Sequence, residues 1–240
     1  MQSIQALRVN EVHLWQIELK PLAEEKSLAR SMLSEDEWLK VNRLRRPEHR
    51  QRALSMRIQL RLLLATYLQQ EPHSIEFTRD RYGKPQLKNT PLFFNISHSQ
   101  DAALVAISLH DGLGVDIEHW RPVEQMAGIV KRHFSMAEKE RWQTLAAHQH
   151  EAVFFHIWTC KEAFIKATGR GLGMGLSRCG FNLSDAYQLE DCPAEYGLPA
   201  MWSCLPLALG ERVSAAVIVR AESCQVLRYR FEPQFPPQIV

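Results

Sequence analysis

Leu33-Ser34-Glu35-Asp36-Glu37 and Phe134-Ser135-Met136-Ala137-Glu138 share a Ser-x-x-Glu spacing, with serines and glutamates both 101 positions apart. In this spacing the hydroxyl and the carboxylate satisfy each other's backbone N–H groups, which starts a helix. Outward from the first box, a helix is expected to about Arg46. Pro47 interrupts it, and a second helix from about Glu48 to Gln70 carries Leu54, Ile58, Leu62 and Leu63 on one side. Outward from the second box, a helix runs to about His148 and a longer one from Glu151 to Thr168, ended by Gly169-Arg170-Gly171. The same offset sets Arg61 opposite Glu162. Strands are expected at Glu11–Leu19, Ile75–Thr78, Phe93–Ser97, Ala102–Ser108, Gly114–Glu118, Gly180–Leu183, Arg212–Val219 and Val226–Phe231, with a turn at Gly83-Lys84-Pro85. No linker rich in Gly, Ser or Pro interrupts the series. The pattern reads as two similar α+β halves meeting at a cleft, residues 1–113 and 114–240.

The composition is that of a globular protein: 240 residues, 45% hydrophobic and 23% charged, with a net charge of +2. Collagen-like, disordered and low-complexity chains are excluded. No apolar run is long enough to cross a membrane. The first residues lack the basic-then-apolar layout of a signal peptide, so a cytoplasmic protein is expected. Five cysteines, an odd number without a Cys-x-x-Cys pair, argue against a disulfide framework or structural zinc. Cys160 reads as packing rather than as a nucleophile.

Four constellations carry chemistry. Asp116 and Glu118 in Gly114-Val115-Asp116-Ile117-Glu118 point to one face of a strand. They form either a solvated strand edge or a pair whose repulsion a hard cation such as Mg2+ removes. Glu162 and Lys166 share a helix face four residues apart, as a surface ion pair or as part of a site. Between Lys40 and Arg61 stand eight cations, Arg52 among them, against the single acid Glu48. That run is a solvated helix face or a phosphate-recognition surface. Finally, Gly83 and Pro85 frame a turn that holds Lys84 out, and Ser97 and His98 close a strand. Lys84 and His98 are placed to clamp phosphate oxygens, or are a turn lysine and a hydrogen-bonded histidine. A hydrolytic Ser97–His98–Asp101 triad is disfavoured, because adjacent strand residues face opposite ways and no Gly-x-Ser-x-Gly elbow is present.

In this order the motifs resemble one family. Tyr82-Gly-Lys-Pro85, Phe94-Asn-Ile-Ser-His-Ser99, Gly114-Val-Asp-Ile-Glu118, Phe134-Ser-x-x-Glu138, Trp158-x-x-Lys-Glu-Ala-x-x-Lys166 and Gly169-Arg-Gly-Leu172 match the 4′-phosphopantetheinyl transferases, specifically the long, surfactin-synthetase-activating (Sfp) type. The resemblance implies pseudo-symmetric halves, each a small antiparallel sheet packed with helices, with coenzyme A between them. It implies transfer of the 4′-phosphopantetheine arm to a serine of an apo acyl or peptidyl carrier protein, releasing adenosine 3′,5′-bisphosphate. Asp116, Glu118 and Glu162 match the Mg2+ ligands, Glu162 also the proposed base, and Lys166 the residue assisting the leaving phosphate. Asp116 and Glu162 with Lys166 are thus the catalytic set. Gly83, Lys84, Ser97 and His98 match coenzyme A contacts, and Lys40 and Arg52 fall near its cationic contacts.

Two positions depart from the family pattern. Ala53 replaces a small hydroxyl residue, and Glu37 replaces a lysine of some members. The short trimeric holo-acyl-carrier-protein synthases share the acidic motifs at about half this length, so here a monomer is expected. Ile129, Phe134 and Met136 are either a carrier-docking element or core. The rival readings are a nucleic-acid-binding protein using residues 40–61, which leaves the three carboxylates without a role, and a silent coenzyme A scaffold, which should have lost a ligand or Lys166. No nucleic-acid or membrane partner is expected.

Overall fold

The computed structural model describes residues 6–22, 25–183 and 187–233. The first half of the chain forms β1 (Glu11–Glu18), α1 (Glu25–Met32), α2 (Glu35–Asn42), α3 (Pro47–Leu68), β2 (Phe77–Arg79), β3 (Pro85–Leu87), β4 (Phe93–Ser99) and β5 (Ala102–Ser108). The second forms β6 (Leu113–His119), α4 (Met126–His133), α5 (Met136–Thr144), α6 (His150–Thr168), β7 (Gly180–Phe181), β8 (Leu189–Asp191), β9 (Ser203–Ala208), β10 (Val213–Val219) and β11 (Gln225–Phe231). Both Ser-x-x-Glu boxes form as expected, at Ser34 on α2 and Ser135 on α5. The helices they start end earlier than the sequence suggests, at Asn42 and Thr144.

The architecture is α+β with two pseudo-symmetric halves. One sheet has the order β11-β1-β5-β4, the other β6-β10-β9, and β2-β3 and β7-β8 are two-stranded ribbons. All pairs are antiparallel except β1 with β11, where Trp15 sits beside Tyr229. The two larger sheets share an apolar interface through Val12, Leu14 and Leu104 on one side and Val115, Ile117 and Val217 on the other. The outer face of the first sheet packs on α3, that of the second on α6. β4 and β6 belong to different sheets and are joined by side chains instead of a ladder. Asn95 Oδ1 accepts from Val115 N–H at 2.9 Å, and Ser99 Oγ from His119 N–H at 3.0 Å.

The duplication extends to a buried charge device. On α3, Arg61 lies 2.7 Å from the Glu37 carboxylate and donates to the carbonyls of Pro72 and Ile75. On α6, Lys161 lies 2.8 Å from Glu138 and donates to the carbonyls of Leu176 and Cys179. The counterpart of Arg61 is therefore Lys161, one residue before the Glu162 that the offset of the boxes suggests. What repeats is a cation on the long helix reaching the capping glutamate, not a fixed residue count.

Candidate active site

β6 turns Val115 and Ile117 into the interface between the sheets, so its alternation sends Asp116 and Glu118 the other way. Glu162 and Lys166 come from α6, and Ser97 from β4. Gly114 lets the helix approach: a Cβ there would lie 2.0 Å from the Ala163 carbonyl oxygen. Lys166 Nζ donates to Asp116 Oδ1 at 2.8 Å, to Ser97 Oγ at 2.8 Å and to the Val115 carbonyl at 3.2 Å. The Ser97 hydroxyl in turn donates to Asp116 Oδ1 at 2.7 Å. Ser99 donates to Glu118 Oε2 at 3.3 Å.

The electrostatics of the cluster are unbalanced toward the negative. Burial, and next the neighbouring Asp116, hold the Glu118 carboxyl above its ordinary value. Glu162 is raised by burial first, then by Asp116, with Lys166 opposing and Glu118 adding. Asp116 is 4% exposed, and its Oδ2 is buried with no hydrogen-bond partner. A hard divalent cation fits this donor set: it would supply the missing partner of Oδ2 and relieve the repulsion among the carboxylates. Among the described residues no three His, Cys, Asp or Glu side chains are grouped so as to hold a metal ion by themselves. An ion here would complete its shell with substrate oxygens and water, the usual habit of Mg2+.

Sequence comparison agrees with this geometry. A model of the 4′-phosphopantetheinyl transferase superfamily matches residues 112–205, and one described as the N-terminal part of 4′-phosphopantetheinyl transferases matches 17–110. The chain is 37% identical over 216 residues to the 4′-phosphopantetheinyl transferase HetI of Nostoc sp., covering 88% of each. The chain belongs to the 4′-phosphopantetheinyl transferase superfamily. It is also 31% identical over 173 residues to the transferase Sfp of Bacillus subtilis, across 71% of this chain and 76% of Sfp. A human L-aminoadipate-semialdehyde dehydrogenase-phosphopantetheinyl transferase is 33% identical over 178 residues, across 63% of this chain and 57% of the human one.

The remaining residues that the transferase motifs single out are placed unevenly. His98 is exposed on the face of β4 opposite Ser97. Its imidazole is held below the ordinary value, first by lost hydration, then by the Lys166 and Arg52 cations. Arg52 donates to Asp101 at 2.6 Å, and Lys40 is paired with Asp36 on its own helix. Gly83 takes the φ of 91° that its turn requires. Lys84 is not held out by that turn: its ammonium folds inward onto backbone carbonyls. Glu37 is engaged by its capping box and by Arg61. Ala53 packs beside the small core of Ala29, Val41 and Leu54.

Arg61 is buried, so the basic run is not one exposed stripe. Phe134 is fully buried and belongs to the core, whereas Met136 is 69% exposed. Cys160 is buried against Cys204, and its thiol is pushed up by that contact and by burial, which suits a packing role. The sequence reading did not single out Asn95 or Ser99. Their i, i+2 spacing with Ser97 on β4 was the available signal.

Proposed function

We propose that this chain transfers the 4′-phosphopantetheine moiety of coenzyme A to a serine of an apo acyl or peptidyl carrier protein, leaving adenosine 3′,5′-bisphosphate. The observation that carries the reading is the convergence of Asp116, Glu118, Glu162 and Lys166 from β6 and α6, with Ser97 from β4, in a family of such transferases. Asp116, Glu118 and Glu162 are the residues that would hold Mg2+, which when bound neutralises charge on the pyrophosphate.

The protein's own groups do the rest. Glu162, directly or through one water, accepts the proton of the attacking serine hydroxyl. Burial raises this carboxyl and a cation held by it would lower it again, so relay through a bridging water suits both roles. The serine oxygen bonds to the phosphorus bearing the pantetheine arm as the bridge to the adenosine phosphate breaks. Lys166 is assigned to the departing phosphate oxygen, for which its ammonium would exchange one of its present partners, Ser97 among them. His98, Arg52, Lys40 and the turn at Gly83 are assigned to the donor.

The same reading takes the enzyme as a cytoplasmic monomer divided at residues 1–113 and 114–240. Chromatographic quantification of adenosine 3′,5′-bisphosphate tests the reaction, using coenzyme A, Mg2+ and a panel of apo carrier proteins. Product that requires a carrier and disappears with EDTA supports the proposal. Coenzyme A left intact with every carrier contradicts it.

A further inference from the structure

We propose that the Lys84 side chain is a positioning group: from the tip of the β2–β3 hairpin its ammonium ties the end of α6 to the start of β6, and thereby sets Lys166 against Asp116. The inference rests on the transferase reading, because it concerns the alignment of that site. Lys84 Nζ donates to the Leu113 carbonyl at 2.9 Å and reaches the Ala167 carbonyl at 3.4 Å. Leu113 opens the strand that carries Asp116, and Ala167 follows Lys166 directly. One ammonium from the first half therefore grips both elements of the second half's catalytic pair. A cation at a helix C-terminus also matches the partial negative charge of the last carbonyls.

The hairpin tip is shaped for this contact. Asp80 Oδ1 accepts from the backbone N–H groups of Tyr82 at 2.8 Å and Lys84 at 2.9 Å, which fixes the turn. Gly169 caps α6 in the left-handed region, with φ of 73°, and a Cβ there would lie 2.8 Å from Asp80 Oδ2. Glycine thus serves both the cap and the close approach of the hairpin. The charges facing Lys84 are Asp80 on its own turn and Asp111 in the loop before β6, while α6 presents a carbonyl to it. Burial outweighs these carboxylates and lowers the ammonium to about 8. Two carbonyls and a half-buried stem leave this ammonium little freedom to follow a ligand.

Three readouts on wild type, Lys84→Met and Lys84→Arg test the assignment. Lys84→Met is expected to lower kcat by up to about 100-fold, the size of effect a small misalignment produces. The KM and calorimetric Kd for coenzyme A should stay put, and Lys84→Arg should recover most of the turnover. The third readout is stability against pH. The folded ammonium loses its proton near 8, the unfolded one near about 10.4. Between these values the unfolded state binds more protons, so this group makes wild-type stability rise with pH. Lys84→Arg, which stays charged throughout, should lose that rise.

A weakened Kd for coenzyme A with saturated turnover unchanged in Lys84→Met would overturn the proposal in favour of a donor contact. Parallel stability curves for wild type and Lys84→Arg would overturn the buried tie. If wild type itself transfers nothing, the transferase reading fails, and the stability curves still decide the tie. They also decide it if Lys84→Met does not fold.

Discussion

Asp116 has two oxygens in two situations. Oδ1 receives Lys166 and Ser97, while Oδ2 is buried and unpartnered. Asparagine at 116 keeps the shape and removes the charge that both an ion and Lys166 require. Asp116→Asn is expected to reduce phosphopantetheine transfer by about 100-fold or more, with the circular dichroism spectrum unchanged; near-normal turnover would remove Asp116 from the mechanism. These residues were legible in the sequence because each lies on a regular element: strand alternation pairs Asp116 with Glu118, and one helical turn pairs Glu162 with Lys166. Lys84 was less legible. Its direction depends on where the other half's α6 ends, and no local pattern encodes that.

At the scale of elements, two glutamates serve at once as helix cap and as counter-ion to a buried cation. Lys161 and Glu138 are 0% and 1% exposed, whereas Glu37 retains 17% beside Arg61. Removing the second carboxylate strands a fully buried ammonium and frees the Phe181 and Ser135 N–H groups it accepts from. Glu138→Ala should cost about 3–5 kcal/mol by urea unfolding, the range for breaking a buried pair. Glu37→Ala should cost less, because water reaches that pair. Equal losses would mean that burial does not set the strength of the device.

Gly114→Ala would drive a Cβ into the backbone of α6. It is expected to lower stability by about 3 kcal/mol, the upper end for overpacking, and to abolish turnover in whatever remains folded. Where elements escaped the sequence reading, the signals were physically weak. The N-cap of α4 is Gln125 in the left-handed region with no side-chain bond. β9 contains Pro206, which reads as a strand breaker and is tolerated because β9 lies at a sheet edge.

For the whole molecule, duplication does not produce two independent units. β11 crosses from the second half to run parallel to β1, where Tyr229 stacks on Trp15 with ring centroids 4.6 Å apart. The two sheets also share the apolar interface built on Val12, Leu104, Val115 and Val217. Unfolding one half would expose the other's core. Calorimetry should therefore show one transition with a ratio of calorimetric to van't Hoff enthalpy of about 1, and two resolved transitions would contradict this coupling. Periodicity announced the β11 segment as a strand but not its partner, because parallel pairing across a whole chain leaves no mark in local alternation.

The central claim is that the cluster on β6 and α6 transfers a phosphopantetheine arm. The most direct test is the intact mass of an apo carrier protein after incubation with this enzyme, coenzyme A and Mg2+, with Glu162→Gln in parallel. The account predicts that the carrier gains the mass of one phosphopantetheine with the wild-type enzyme and none with Glu162→Gln. An unchanged carrier across the panel, or an equal gain with Glu162→Gln, would contradict it.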